Sequence, residues 1–189
     1  MDLIQYIINC SIIIIGRGLD IWSTYRLTPK LELETNNLIK KLGWKGGIIL
    51  QIPIVILGAL YNTFTLFIFV FSFLITAHNI SGSWLVKGMG EEEYTEMLKD
   101  GLSKVKKFRN IFLDEISPVL VYCIPNMLIW FFFFQIVPFT VEIFIENTIT
   151  AYIFIITFAI FFFGAINTVR NIFYLIRLKL IQDKVVDDG

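Results

Sequence analysis

Long apolar runs alternate along this chain with short segments that hold nearly all of its charge. A helix crossing a bilayer needs about 20 mostly apolar residues. Runs of that kind occupy about 3–22, 46–61, 64–84, 116–139 and 148–169. Tyr61-Asn62-Thr63 supplies the turn between the second and the third. The pattern predicts an all-α fold, an integral membrane bundle of five transmembrane helices plus a cytoplasmic amphipathic helix, in one domain covering residues 1–189. The first run lacks the basic leading segment of a cleaved signal and reads as a retained span.

The polar segments carry structure of their own. In the 28–45 loop, Thr28-Pro29 ends the first helix; Thr35 is the expected N-cap, and Gly43 the C-terminal stop, of a short helix. In the 87–113 loop, Tyr94, Leu98, Leu102, Val105, Phe108 and Phe112 recur at helical spacing. Glu91, Glu92 and Glu93 start that helix, while Lys104, Lys106, Lys107 and Arg109 end it, which suits the helix dipole. Such a helix lies on an anionic membrane surface or packs on the rest of the protein. A cytoplasmic tail, 177–189, closes the chain.

Charge gives the pattern a direction. All sixteen Lys and Arg residues lie between Arg17 and Lys45, Lys87 and Arg109, or Arg170 and Lys184. With five spans these windows fall on one side, and basic loops mark the cytoplasm. The N-terminus and the acidic loop of Glu142 and Glu146 then lie outside, and the C-terminus lies inside. Trp22, Tyr25, Trp44 and Trp84 sit at the cytoplasmic span ends, where amphipathic rings favour the headgroup layer. A 56% hydrophobic, 17% charged composition is too thinly charged for a soluble shell. Net charge is zero, with no continuous basic surface for nucleic acid. Cys10 and Cys123 sit in apolar runs and read as small core residues.

Ionisable groups inside a bilayer are costly, and each one suggests a site. Arg17, Asp20 and Thr24 share a face of the first span; His78, Ser81 and Gly82 one of the third, next to Asn79; and Asn167, Arg170, Asn171 and Tyr174 one of the fifth. All lie near the cytoplasmic boundary, so three helices offer polar faces to one cytoplasm-facing pocket. Ser72 and Asn126 extend it inward, and kinks at prolines widen it. The outer half offers only isolated residues such as Asn9 and Gln135.

Arg17 and Arg170 suit a carboxylate or phosphate head group. Asp20, Glu34 and His78 are the candidate proton-handling or catalytic groups, and the candidate ligands of a divalent metal. Ser23 or Ser81 with His78 and Asp20 sketches a hydrolytic triad, but no nucleophile elbow accompanies it.

Arg17-Gly-Leu-Asp20-Ile-Trp-Ser23-Thr24, followed by Leu33-Glu34-Thr35-Asn36, resembles a pattern in uncharacterised small prokaryotic multi-pass membrane proteins, which carry an Asp and a Ser/Thr on the first span and then Glu-x-Asn-Pro. Asn37 stands where that pattern has its proline. The resemblance attaches no activity; it groups Asp20, Thr24, Glu34 and Asn36 as one constellation, in which two carboxylates meet and share a cation or a proton.

The leading expectation is a protein that binds a small anionic or lipid-like ligand in this pocket, for transport or modification, with Thr24, Asn36, Asn79 and Asn167 as further ligand-binding residues. One alternative is an intramembrane metal-dependent hydrolase or transferase. Another is a non-catalytic assembly or scaffold subunit. The expected partners are the lipid bilayer, a second copy of the chain or another membrane protein, and no nucleic acid.

Overall fold

The computed structural model describes residues 2–34, 36–105, 108–136 and 149–187. Apart from the 28–34 loop and a few short links those residues are helical, with no strand among them. The helices are α1 (Leu3–Leu27), α2 (Asn37–Ile49), α3 (Gln51–Gly58), α4 (Asn62–Met89), α5 (Glu91–Lys104), α6 (Phe108–Glu115), α7 (Ile124–Ile136) and α8 (Ile149–Asp187). A π-helical turn, Val119–Cys123, leads into α7. Three helices are long and apolar enough to cross a membrane: α1, α4 and the Ile149–Leu180 part of α8. The bent pair α2–α3 makes a fourth if it counts as one span.

The three long helices run parallel. Contacts between α1 and α4 climb together: Asn9 with Asn62 (2.9 Å), Arg17 with Ser72 (3.3 Å) and Thr24 with Asn79 (3.0 Å). Phe67 meets Phe158 and Phe71 meets Phe163, so α8 runs with α4. The segments between them run back. α2–α3 bonds α1 and the residues just after it through Trp44 to Pro29, Gln51 to Arg17 and Ile56 to Tyr6, in descending order back along the chain. Tyr122 packs on Phe163 and Phe134 on Phe154, so α7 is antiparallel to α8.

Both returning segments are broken by proline. Pro53 has no N–H to bond the Ile49 carbonyl, and its ring clashes with that group. The chain bends 47° between α2 and α3, and the Gln51 amide bonds the Gly47 carbonyl beside the break (2.9 Å). The π-helical turn lies just before Pro125, and the Asn126 amide takes the Tyr122 carbonyl (2.6 Å). These side chains do what neighbours must do wherever a helix breaks away from water.

Residues buried at the helix seams are largely small or polar. On α1 they are Asn9, Ile13, Gly16, Asp20 and Ser23, spaced four, three, four and three. On α4, Thr65, Ser72, Thr76 and Ser83 follow at seven, four and seven. A near 3.5-residue repeat keeps one stripe facing its partner. Small residues let backbones approach, and hydroxyls and amides then bond across. Large apolar side chains point outward instead, among them Ile4, Ile15, Phe73, Trp84 and Phe132. A phenylalanine-rich seam joins α7 and α8, where Trp130 packs on Phe154, Phe158 and Phe161 and donates to Thr157 (2.8 Å).

Several sequence-based expectations shift. The expected N-cap Thr35 lies outside the described residues, and Asn36 caps α2 by accepting from the Leu38 N–H (3.0 Å). Gly43 does break helical geometry (φ 65°), yet helix resumes after it and continues to Ile49. The single helix expected over 90–113 is two, because Val105 adopts extended backbone (ψ 104°). Its carbonyl, freed by the break, accepts from Lys179 of α8 (3.1 Å). Glu142 and Glu146 lie outside the described residues.

Gly164 marks the tightest approach of α8 to the π-helical turn: a Cβ there would lie 2.5 Å from the Tyr122 Cβ and 3.3 Å from the Cys123 sulfur. Gly164→Val should therefore lower stability by about 1–3 kcal/mol, the usual cost of overpacking. Thermal unfolding in mild detergent should show it as a drop in midpoint, larger than for Gly164→Ala. Equal midpoints for Gly164→Val and wild type would refute the close approach.

Candidate functional site

The C-terminal halves of α1 and α4 and the middle of α8, with α2 and the 28–34 loop, line a cavity of about 620 Å³. Arg17, Asp20, Thr24, Glu34, Asn36, His78, Asn79, Asn167 and Arg170 all line it. Apolar walls come from Ile48, Phe71, Ile75, Phe163 and Ile166. Ser72 and Asn126, expected to deepen it, do not line it; both are buried in helix seams.

The charged groups are organised as pairs. Asp20 is buried, and its carboxylate takes the Arg17 guanidinium at 2.7 Å and the Thr24 hydroxyl at 3.4 Å. Arg17 also donates to Gln51 (2.7 Å) and Ser72 (3.3 Å), so one guanidinium ties α1 to α3 and α4. Arg170 of α8 meets Glu34 of the loop at 3.2 Å. Glu34 also accepts the Asn36 N–H (2.7 Å). Glu115 of α6 accepts from Asn171 (3.1 Å) at the cavity's edge. Asn79 donates to Ser23 (3.1 Å) and Thr24 (3.0 Å), which fixes its amide against α1.

Two polar groups are left facing the space. The His78 ring rests edge-on against Phe163 (centroids 6.0 Å), and among the described residues neither it nor the Asn167 amide has a hydrogen-bond partner. They lie on α4 and α8, which pack against each other beside the cavity.

The catalytic expectations meet this geometry unevenly. Asp20 and Glu34 line one cavity, as the Asp-x-x-Ser-Thr and Glu-x-Asn pattern implies, but each takes its own arginine and they do not share a cation. Among the described residues no three His, Cys, Asp or Glu side chains come together as metal ligands. The expected divalent-metal set of Asp20, Glu34 and His78 is therefore not assembled: salt bridges to arginine occupy both carboxylates. The triad is not assembled either, since Ser81 donates to the His78 carbonyl (2.8 Å) and Ser23 to the Asp20 carbonyl (2.9 Å). Nor is Asn9 isolated at the opposite end of α1. It is buried and bonds Gln5, Asn62 and the Ala59 carbonyl, closing that end of the bundle.

Glu91 is the residue that sequence reasoning missed. It begins α5 and is buried. Its carboxylate accepts the Thr28 hydroxyl (2.5 Å), the Lys30 N–H (2.9 Å) and the Glu32 N–H (3.1 Å). Leu31 between those two N–H groups has left-handed backbone (φ 61°), which is unfavourable for a branched side chain. That conformation turns both N–H groups to one point and makes a small anion nest. Burial of the Leu31 side chain and the bonds to Glu91 hold it. The nest places Glu34, three residues on, over the cavity. Beside it Lys30 pairs with Glu92 (2.7 Å) on the surface. That pair raises the lysine pKa and lowers the glutamate pKa. Its contribution is thus complete from about pH 5 to 10, and is lost as acid protonates Glu92 or alkali neutralises Lys30.

Comparison with protein-family models, with curated proteins and with solved structures finds no match for this chain.

Glu91→Ala should unfasten the loop. Three hydrogen bonds to one buried carboxylate are lost, a change worth about 2–4 kcal/mol locally. Trypsin cleavage after Lys30 should accelerate in the purified variant while α1 and α4 remain protected. Unchanged cleavage would show that the nest does not hold the loop.

Proposed function

We propose that this protein is an integral membrane protein that crosses the bilayer five times and binds an amphiphilic, lipid-like ligand in the cavity at its basic end. The parallel course of α1, α4 and α8 supports five crossings. Two parallel spans must be joined by chain that crosses back, and α2–α3 and the segment containing α7 are the chain available. All three long helices run toward the basic end, and the positive-inside rule makes that end cytoplasmic. The N-terminus is then outside and the C-terminus inside.

A cysteine scan tests the topology. A membrane-impermeant maleimide applied to intact cells should label Tyr61→Cys, and should label Lys99→Cys only after permeabilisation. The opposite order would reverse the orientation; labelling of both from outside would remove a crossing.

The observation that carries the ligand reading is the cavity lining. Unpartnered polar groups of His78 and Asn167 face a space whose walls are apolar and whose rim is charged. A few convergent polar groups in an apolar pocket are the usual form of a small-ligand site. Two guanidiniums, Arg17 and Arg170, stand against three carboxylates, Asp20, Glu34 and Glu115. Each guanidinium is already matched by a carboxylate. That lining gives less support to a purely anionic ligand than to one with a balanced polar head and an apolar body. The metal-dependent hydrolase alternative has no assembled ligand set to support it.

Protein extracted in mild detergent should carry one amphiphile per chain in native mass spectrometry. His78→Ala and Asn167→Ala should each lower occupancy about tenfold, the loss of a single good hydrogen bond. A wild-type protein free of amphiphile, or variants that retain it fully, would sink the assignment.

A further inference from the structure

The cavity lining holds more acid than base. Among the described residues its ionisable groups are Arg17, Asp20, Glu34, His78, Glu115 and Arg170, with no lysine. Arg17 holds Asp20 at 2.7 Å and donates to Gln51 and Ser72 as well. Arg170 holds Glu34 at 3.2 Å and has a further interaction besides. Neither guanidinium waits for a ligand. Glu115 is the carboxylate left without a cation. Its Oε2 accepts the Asn171 amide (3.1 Å), and its Oε1 has no partner among the described residues.

Helix spacing sets where that charge lies. Phe163, Asn167 and Asn171 follow one another along one face of α8, about 6 Å apart at the α-helical rise. His78 of α4 meets that face at Phe163, and Glu115 of α6 meets it at Asn171. The Asn167 amide lies between those two contacts. On α4, Gly82 is one turn beyond His78 and also lines the cavity; a Cβ there would meet nothing within 4 Å. Because α4 and α8 run parallel, Gly82 and Asn167 stand at one level, a turn nearer the basic end than the His78–Phe163 contact. The space at that level is open, polar and bordered by one unmatched negative charge.

We propose that the cavity takes a cationic amphiphile, an apolar chain with a single protonated amine as its head, and that Glu115 is the residue that selects it. The inference rests on reading the cavity as an amphiphile site. The ammonium pairs with Glu115 through Oε1, with the Asn167 amide oxygen next along the face as a second acceptor. No existing ion pair has to open. The chain lies against the apolar walls of Ile48, Ile75 and Phe163. Covering a carboxylate without supplying a counter-charge is costly, so a neutral head gains less here and an anionic head is repelled. An inorganic cation fits less well, because among the described residues no three His, Cys, Asp or Glu side chains converge to ligate one.

The test titrates the full chain in maltoside micelles with dodecylammonium, dodecanol and dodecanoate, which share one chain and differ in head charge. Binding is followed by native mass spectrometry, with free concentrations corrected for uptake into protein-free micelles. The wild-type chain should hold dodecylammonium at least tenfold more tightly than dodecanol, and dodecanoate least, the usual gain from a hydrogen bond to a charged group. Dodecanoate bound as tightly as dodecylammonium would overturn the cationic class without recourse to any variant. Glu115→Gln keeps the shape and still accepts the Asn171 amide. It should weaken dodecylammonium at least tenfold and leave dodecanol unchanged, while Glu115→Asp keeps most of the preference. Undiminished dodecylammonium binding in Glu115→Gln would overturn the role of Glu115. Gly82→Leu enters open space and should weaken all three compounds. Loss of all three in Gly82→Leu, with no preference for the cation in the wild-type chain, would overturn the proposal and leave the amphiphile reading standing. No binding of any compound to the wild-type chain would remove both. Ethylammonium, the head without the chain, should bind at least tenfold more weakly than dodecylammonium, since it buries little apolar surface. Equal binding would make this a site for soluble amines and overturn the amphiphile.

Discussion

The parallel seam between α1 and α4 is the constraint from which the rest of the arrangement follows. In a hydrocarbon solvent apolar surface gains little by facing apolar surface, so helices associate through close backbone approach and bonds between polar groups. Asn9 with Asn62, Arg17 with Ser72 and Thr24 with Asn79 supply such bonds along the whole seam. Because they fix α1 and α4 in the same direction, the chain between them must return. Because Arg17 and Asp20 belong to that seam, ionisable groups are held beside the space where α8 and the loop meet.

Much of this is legible in the amino-acid sequence. The position of each apolar run, the direction of the charge and the common depth of Arg17, Asp20, His78, Asn167 and Arg170 are one-dimensional properties, and helical periodicity turns them into faces. All nine residues read as site residues do line one cavity. What the pattern does not carry is pairing. The i,i+3 spacing of Arg17 and Asp20 already allows their ion pair, but nothing in the sequence shows that Arg170 meets Glu34, so the two guanidiniums are less free than their positions suggest. Glu91 was hidden for a similar reason. Among three consecutive glutamates any one suits a helix N-terminus, and only the left-handed turn at Leu31 singles out the first.

Helix breaks were read partially. Pro53 and Pro125 identified where the returning segments bend, but the sequence did not reveal that Gln51 and Asn126 would occupy carbonyls beside them. The break at Val105 had no proline to announce it. It depends on Lys179, more than seventy residues away, reaching the freed carbonyl. Long-range satisfaction of a backbone group of this kind is beyond periodicity arguments. Propensity therefore favoured one helix where tertiary contact makes two.

Three long helices pointing the same way also add their dipoles. Each C-terminus carries roughly half a negative charge; α1 and α4 end beside the cavity, while α8 runs on past Leu175 to Asp187. The returning segments, interrupted at Leu50 and at the π-helical turn, offset this with shorter opposed dipoles. The basic windows therefore also have an electrostatic role within the bundle. They lie on the side where the α1 and α4 backbone dipoles place negative charge, and they offset it.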